Sequence, residues 1–346
     1  MNDMTAKPIS RAKNLPNIWE VAVDVGNFIS MALPERPTII SPWLRKSSLA
    51  MIYAERGIGK TWLGLSIALS ITTTAPIGNW QVSEPVGVLY IDGEMAADEM
   101  QKRVRQLSST LPPILAPFKI LSSDLLHQND YASINIINRA WRDMIFNALS
   151  TQTNIGVLVL DNLSCLTPGI EENDKEAWDA INQWLLQLRF LGMAVIFLHH
   201  AGKGGKQRGT SGREDALDIV IKLVQPPNHN PSNGAKFAVT FEKSRGVYGD
   251  GIADFTFSLG QDENGNMVWL TNGISPKDNK GLIIAMLGEG NMSKEIEAKV
   301  GVSKQLVSKH KIWAVNKGYL SEDDKTGQIT FTDRGREEYA LHLTNQ

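Results

Sequence analysis

The sequence predicts an α/β fold built on a mainly parallel sheet with helices on both faces, and three observations carry that prediction. From about Ser48 onward, short apolar runs of strand type alternate with longer runs of helical spacing, the pattern of successive βαβ units. The runs VGVLYI, GVLVL and AVIFL show no alternation of apolar and polar residues, as expected of strands covered on both sides. The third observation is a glycine-rich turn from Ala54 to Thr61, set between one such strand and one such helix.

Along the chain, residues 1–36 form an N-terminal arm. Within it, residues 18–31 predict one short helix, ended by Pro34 and Pro37. That helix either covers this chain's own core or docks on a neighbouring copy. The main domain is expected over residues 37–271. Residues 49–53, 86–91, 156–160 and 194–198 read as strands, and residues 62–73, 96–108 and 175–191 as helices. Four further strands, 219–224, 237–242, 252–259 and 267–270, are expected to extend the sheet in antiparallel fashion. The Pro- and Asn-rich stretch 226–234 and the turn 262–266 join them. A linker near 272–279 sets off a small second domain at 280–346, a length sufficient for an independent module.

Composition excludes several classes of protein. With 42% apolar and 21% charged residues, the chain is close to a globular average, which excludes wholesale disorder. Cys165 is the single cysteine, so no intrachain disulfide can form, in keeping with a reducing interior. No apolar run reaches the ~18 residues of a membrane span, and the opening residues lack the apolar core of a signal peptide. A cytoplasmic protein without membrane contact is therefore expected. The net charge of -2 gives no global attraction to nucleic acid, so any such contact must be local.

The turn AERGIGKT has the spacing of a P-loop, with Ala54 where the first glycine usually stands. Backbone N–H groups of Gly57, Ile58, Gly59 and Lys60 are placed to wrap phosphates. Lys60 reaches the β- and γ-phosphates, and the Thr61 hydroxyl binds Mg2+. ATP is the expected nucleotide. A second acid for the metal shell is supplied by Asp161, which ends the apolar run VLVL. Asn162 follows it, so the group that activates water must come from elsewhere. Glu94, just beyond the strand LYID, fits that role; Asp92 is its rival, and either acid also suits the cap of the following helix. His199 and His200 end the run VIFL, where one imidazole or the other can hydrogen-bond a phosphate oxygen and sense nucleotide state.

Taken together, GIGKT, LYIDGEM, VLVLDNL, FLHHAGKG and RGTSG resemble the RecA-like replicative helicases, most closely the RepA-type helicases of broad-host-range plasmids and related mobile elements. The resemblance covers residues 37–259. It implies a RecA-like P-loop core, ATP hydrolysis with Mg2+, and a homo-oligomeric ring, most simply a hexamer. It implies that the segment after the histidines faces the ring channel and contacts single-stranded DNA. Lys203, Lys206, Arg208 and Arg213 supply cations there, which track phosphates without reading bases. In related hexameric helicases a Lys-x-Arg pair reaches the neighbouring subunit's γ-phosphate, and Lys243 and Arg245 stand at the matching place.

The last segment resembles a winged helix-turn-helix. Residues 281–287 form its first helix, Ser293 caps a second to Lys299, and Ser303 caps a third to about Lys317. A hairpin at 319–332 makes the wing, and a last helix starts at Gly335. The third helix offers Lys304, Gln305, Ser308, Lys309 and Lys311 to a major groove, while Glu322, Asp323 and Asp324 sit in the wing. Binding of duplex DNA and docking of a replication protein are both open for this module. The function expected of the chain is that of an ATP-dependent, ring-forming DNA helicase in replication of a plasmid, phage or integrated element. The alternative is an ATP-switched DNA-binding regulator or helicase loader.

Overall fold

A computed structural model describes residues 17–169, 175–201, 216–226, 234–248, 252–261, 267–272, 276–300, 304–323 and 326–339. They fall into two compact units, Met1–Ile252 with Phe257–Thr271, and Ala253–Thr256 with Asn272–Gln346.

The first unit begins with two short helices, α1 (Ile18–Val21) and α2 (Val25–Ser30), where the sequence pattern predicted one. The reason is local. Asn17 caps α1 by accepting the Trp19 N–H, and Asp24 starts α2 afresh by accepting the Gly26 N–H at 2.9 Å. Neither helix buries a residue. Next come β1 (Thr38–Ser41), β2 (Leu44–Arg45), β3 (Leu49–Ala54), α3 (Lys60–Thr73), β4 (Gln81–Val82), β5 (Gly87–Asp92), α4 (Ala97–Ser108), β6 (Phe118–Ser122), α5 (Ser123–Gln128) and α6 (Arg139–Thr151). Then follow β7 (Ile155–Asp161), α7 (Leu163–Leu166), α8 (Lys175–Phe190), β8 (Ala194–His200), β9 (Ile219–Val224), β10 (Lys236–Ser244), β11 (Phe255–Gln261) and β12 (Met267–Asn272).

Nine strands form the main sheet in the order β12-β11-β10-β9-β3-β8-β7-β5-β6. Every pairing from β9 to β6 is parallel, whereas β10 runs antiparallel to β9. The α/β class with a mainly parallel sheet plus antiparallel strands is therefore what the chain adopts. Helix α3 is apolar around most of its circumference because it lies against the sheet; from Leu63 to Thr73 every residue is buried. The opposite face packs α8 on Met51, Leu160 and Phe197 through Trp178, Ile181, Trp184 and Leu188. A separate small sheet, β2-β1-β4, sets Trp43 and Trp80 with ring centres 5.2 Å apart. All parallel strands run the same way, so the loops after β3, β5, β7 and β8 gather at one edge of the sheet.

The second unit comprises α9 (Pro276–Gly288), α10 (Ser293–Val300), α11 (Lys304–Asn316), β13 (Leu320–Glu322), β14 (Ile329–Phe331) and α12 (Asp333–Tyr339). Its core is Ile283, Ile284, Met286, Leu287, Ile296, Val307, Ala314 and Leu320. β13 and β14 form an antiparallel pair. Gly335 allows α12 to lie on this pair, since a Cβ there would stand 1.8 Å from the Tyr319 carbonyl oxygen. Trp313 stacks on Tyr319 at 5.6 Å, and the Arg334 guanidinium covers the Tyr319 ring at 4.7 Å. Ser303, expected to cap α11, lies outside the described residues, as do the stretch 227–233 and the turn 262–266.

Candidate functional site

The phosphate loop begins where β3 ends. Ala54 still belongs to that strand and is fully buried, so this position needs no left-handed backbone and an alanine fits it. Gly57 and Gly59 differ: their φ values of 80° and 116° are ones an L side chain rarely adopts. Lys60 opens α3, and its Nζ donates to the carbonyls of Ala54 at 3.0 Å and Glu55 at 2.7 Å. The loop is thus curled around its own lysine. Burial lowers the Lys60 pKa from 10.5 to about 8, partly offset by the charges of Asp161 and Glu94.

Thr61 and Asp161 meet although a hundred residues separate them, because the Thr61 hydroxyl hydrogen-bonds the Asp161 carboxylate. Tyr90 Oη donates to the same carboxylate at 2.7 Å. Burial holds the Asp161 carboxyl above its usual range despite these donors. The parallel register sets Asp92 of β5 directly beside Asp161 of β7, and the Gly93 N–H donates to the Asp161 carbonyl at 2.7 Å. This pairing fixes the loop that carries Glu94.

The two rival acids have different surroundings. Asp92 is 1% exposed, accepts the Met95 N–H at 2.9 Å, and has its pKa raised from 3.8 to about 7 by burial and by Asp161. The Glu94 side chain is 61% exposed; its Oε2 accepts a hydrogen bond from Asn162 Nδ2 and lies 3.8 Å from His200 Nε2. Asn162 is held in turn by the Cys165 N–H, which donates to its Oδ1 at 3.1 Å. Neither acid caps α4, which starts after Ala96 with the Ala97 N–H donating to Asp124 at 2.8 Å; Asp92 instead ties the turn before it, leaving Glu94 open to solvent. Burial and the Lys60 charge lower the His200 pKa, so its imidazole is neutral at pH 7. His200 Nδ1 is buried with no hydrogen-bond partner among the described residues.

These groups line one cleft of 390 Å³, bordered by Gly57, Gly59, Lys60, Thr61, Glu94, Asp161 and His200. Ile58 sits in the loop with its side chain buried and does not line the cleft. His199 also stands apart: neighbouring strand residues face opposite sides, so His199 points away and is buried. The cleft further contains Trp62, Asp92, Asn162 and Arg103, the last over the Trp62 ring at 5.1 Å. Sequence reasoning missed Trp62 and Arg103. The signal for Arg103 was its place on α4, nine residues after Glu94, but nothing in the pattern showed which face of α4 turns inward.

The cleft is suited to a nucleotide triphosphate and Mg2+. Its loop is glycine-shaped, its buried lysine is held by backbone carbonyls with no salt-bridge partner among the described residues, and one hydroxyl and one carboxylate lie together. Mg2+ is ordinarily held by one or two such protein oxygens together with phosphates and waters. No group of three or more metal-binding side chains occurs among the described residues.

Lys243 and Arg245 do not join this cleft. β10 runs antiparallel, so its end at Ser244 pairs with Ile219 at the start of β9, and the Arg245 N–H donates to the Asp218 carbonyl at 2.8 Å. The Asp218 N–H in turn donates to Leu49 at the start of β3. Arg245 thus lies toward the opposite edge of the sheet from the phosphate loop, about 16 Å from Ala54 by strand rise over five residues, and Lys243, level with Met51, about 10 Å from it over three. Lys203, Lys206, Arg208 and Arg213 lie outside the described residues. In the second unit, Lys304, Ser308 and Lys309 share an open concave surface with Ile312, and Gln305 lies on the same helix. Lys311 is instead paired with Glu322 at 2.6 Å. No helix among the described residues is long and apolar enough to cross a membrane.

No curated protein matched the sequence. Among solved structures, the chain is similar to a KaiC-like protein from the hyperthermophilic archaeon Pyrococcus horikoshii OT3, at 17% identity and a TM-score of 0.45, covering 68% of this chain and 99% of that one. A model of the AAA domain family matches residues 13–206, more than half of the 346 residues, including the phosphate loop, Glu94, Asp161 and both histidines. The chain therefore belongs to the AAA domain family, as a nucleotide-dependent ATPase with a RecA-like P-loop core.

Proposed function

We propose that this ATPase is a ring-forming DNA helicase acting in replication of a plasmid, phage or integrated mobile element, and that its catalytic cleft is completed by a neighbouring copy. One observation carries the reading: Lys243 and Arg245 lie across the sheet from their own phosphate loop. Basic side chains at that edge are of use to a nucleotide only when a second subunit presents its cleft to them. A ring, most simply a hexamer, repeats that contact around a closed symmetry.

In this mechanism Lys60 and the backbone N–H groups from Gly57 to Lys60 bind the β- and γ-phosphates. Thr61 and Asp161 hold Mg2+, which when bound supplies positive charge against the phosphate oxygens. Glu94, oriented by Asn162, takes a proton from the attacking water as that oxygen bonds the γ-phosphorus. Neutral His200 hydrogen-bonds a γ-phosphate oxygen, so loss of that phosphate alters its contact with Glu94. From the neighbour, Arg245 and Lys243 stabilise charge as the β–γ bridge breaks, an effect worth roughly 10³ to 10⁵ in rate for such groups.

The reading divides the chain into an arm (1–36), an ATPase domain (37–271) and a winged-helix domain (280–346). Lys203, Lys206, Arg208 and Arg213 lie outside the described residues; in sequence the first of them follows the proposed γ-phosphate sensor His200 by three positions, and contact with single-stranded DNA is proposed for them. Helices α9, α10 and α11 and the β13–β14 hairpin support a winged helix, in which Lys304, Ser308 and Lys309, with Gln305 of the same helix, are proposed to bind duplex DNA or a replication protein. Strand displacement on forked DNA tests the function. ATP-dependent unwinding is expected; DNA-stimulated hydrolysis that leaves every fork annealed would identify a regulator or loader instead.

A further inference from the structure

The strand that carries the basic pair is irregular at one position. Along β10, Phe241 pairs with Ile221, but the next partnered residue, Lys243, pairs with Val220, so Glu242 is an added residue in the ladder. Such a bulge shifts every later side chain to the other face of the sheet. In a regular ladder Lys243 would oppose Ile219 and point toward the α3 side. With the bulge it opposes Val220 and joins the face that carries Tyr53 and α8. A feature that reverses the direction of Lys243 and of the residues after it requires a stabilising contact, because an unpaired ladder position weakens the strand.

Glu242 has such contacts. Its Oε2 accepts a hydrogen bond from Tyr53 Oη, and its Oε1 lies 3.6 Å from Lys222 Nζ. Tyr53 pairs with Lys222 across β3 and β9, which places all three side chains on one sheet face. Tyr53 is 1% exposed and immediately precedes Ala54, whose carbonyl holds the Lys60 ammonium. Glu242 immediately precedes Lys243.

We propose that Glu242, held by Tyr53 and Lys222, is a positioning residue that locks the bulge and thereby aims Lys243 and Arg245 at the neighbouring subunit's nucleotide. The proposal rests on the trans-acting reading of that pair. Through Tyr53 it also joins the strand of a subunit's own phosphate loop to the basic pair which that subunit offers to the next.

Subunit mixing tests it, because it separates the chain that supplies a cleft from the chain that supplies the basic pair. In a mixture of Lys60→Ala and Arg245→Ala chains, the live clefts belong to the Arg245→Ala chains and the live basic pairs to the Lys60→Ala chains. Adding Glu242→Ala to the Lys60→Ala chain should lower the restored ATPase rate at least tenfold. The same change on the Arg245→Ala chain should leave that rate within twofold. Tyr53→Phe, which removes only a hydroxyl, should show the same asymmetry more weakly, and Glu242→Gln, which keeps the acceptor, should restore part of the rate. Equal losses for both placements, as general destabilisation would give, or no loss for either, would overturn the proposal. If the parent mixture has no activity in assembled rings, the trans-acting reading fails and this proposal with it; activity in the parent without asymmetry sinks the proposal alone.

Discussion

Ser244, the last residue of β10, pairs with Ile219, the first residue of β9, so Arg245 leaves the strand at the end of the sheet away from its own phosphate loop. Because β9 runs parallel to β3, its first residues lie at the edge where β3 begins, away from Ala54 and the phosphate loop. An antiparallel strand thus returns its basic end to the far side of the subunit. Under the proposed trans action, catalysis depends on assembly.

The division of labour between Glu94 and Asp92 gives the first prediction. Glu94→Gln should lower ATP turnover by about 10² to 10⁴, the range for loss of a general base. Asp92→Asn, which still accepts the Met95 N–H, should retain turnover within about tenfold. Steady-state hydrolysis by the two variants checks this; a larger loss for Asp92→Asn would exchange their roles.

Asp92 also makes a prediction about stability. Its folded pKa is raised from 3.8 to about 7, so the folded chain holds an additional proton through that interval and loses stability as pH rises across it. Asp92→Asn removes the dependence. The variant's gain in melting temperature over the parent should therefore be larger at pH 8 than at pH 5, by roughly 3 °C or more if about 1 kcal/mol is relieved. An equal difference at both pH values would contradict the burial argument.

Lys60 predicts how nucleotide binding responds to pH. Its ammonium has a pKa of about 8 in the free cleft, and phosphates favour the charged form. Affinity for a fluorescent ADP analogue should hold steady from pH 6.5 to 7.5 and fall about tenfold per unit once pH passes well above 8. Lys60→Arg, charged throughout, should flatten that fall even if its overall affinity is lower. An unchanged slope in the variant would assign the titration to another group.

Much of this fold is written in local pattern. The strands β3, β5, β7, β8 and β9 were legible because buried parallel strands are short continuous apolar runs, and α3 because it follows a glycine loop. The small sheet of β1, β2 and β4 was not, since strands of two to four residues carry too little pattern. β6 was missed because it is an edge strand with Lys119 and Ile120 exposed. The cleft was legible where a residue ends a strand or sits in the loop, as with Lys60, Thr61, Asp161 and Glu94. It was opaque where long-range packing decides. His199 and His200 are equivalent in sequence, and only their alternation along β8 turns one into the cleft. Asn162 read as an absent acid, yet its amide holds Glu94.

Asn162 accordingly yields a prediction of its own. Asn162→Ala frees the Glu94 carboxylate without touching the phosphate loop, so turnover should fall about tenfold or more while nucleotide affinity stays within about twofold. Pre-steady-state hydrolysis and nucleotide titration separate the two effects. A parallel loss of affinity would show that Asn162 acts on the loop rather than on Glu94.

For the second unit, replacing Lys304 and Lys309 together by alanine in the full-length chain tests duplex binding. Both sit exposed on α11 beside Ser308, whereas Lys311 is tied to Glu322. If each neutralises a phosphate, the slope of log affinity against log salt should become shallower by about 1.8 in the double variant. Duplex affinity that is unchanged in magnitude and slope would favour a protein-docking surface.

The shared cleft is tested most directly by complementation. Lys60→Ala chains and Arg245→Ala chains, each inactive alone, are mixed under conditions where rings form with ATP analogue and single-stranded DNA, and ATP hydrolysis is followed as their ratio varies. A cleft completed by its neighbour predicts activity that is absent at either extreme and greatest near equal proportions. Mixed rings that remain inactive at every ratio would contradict it.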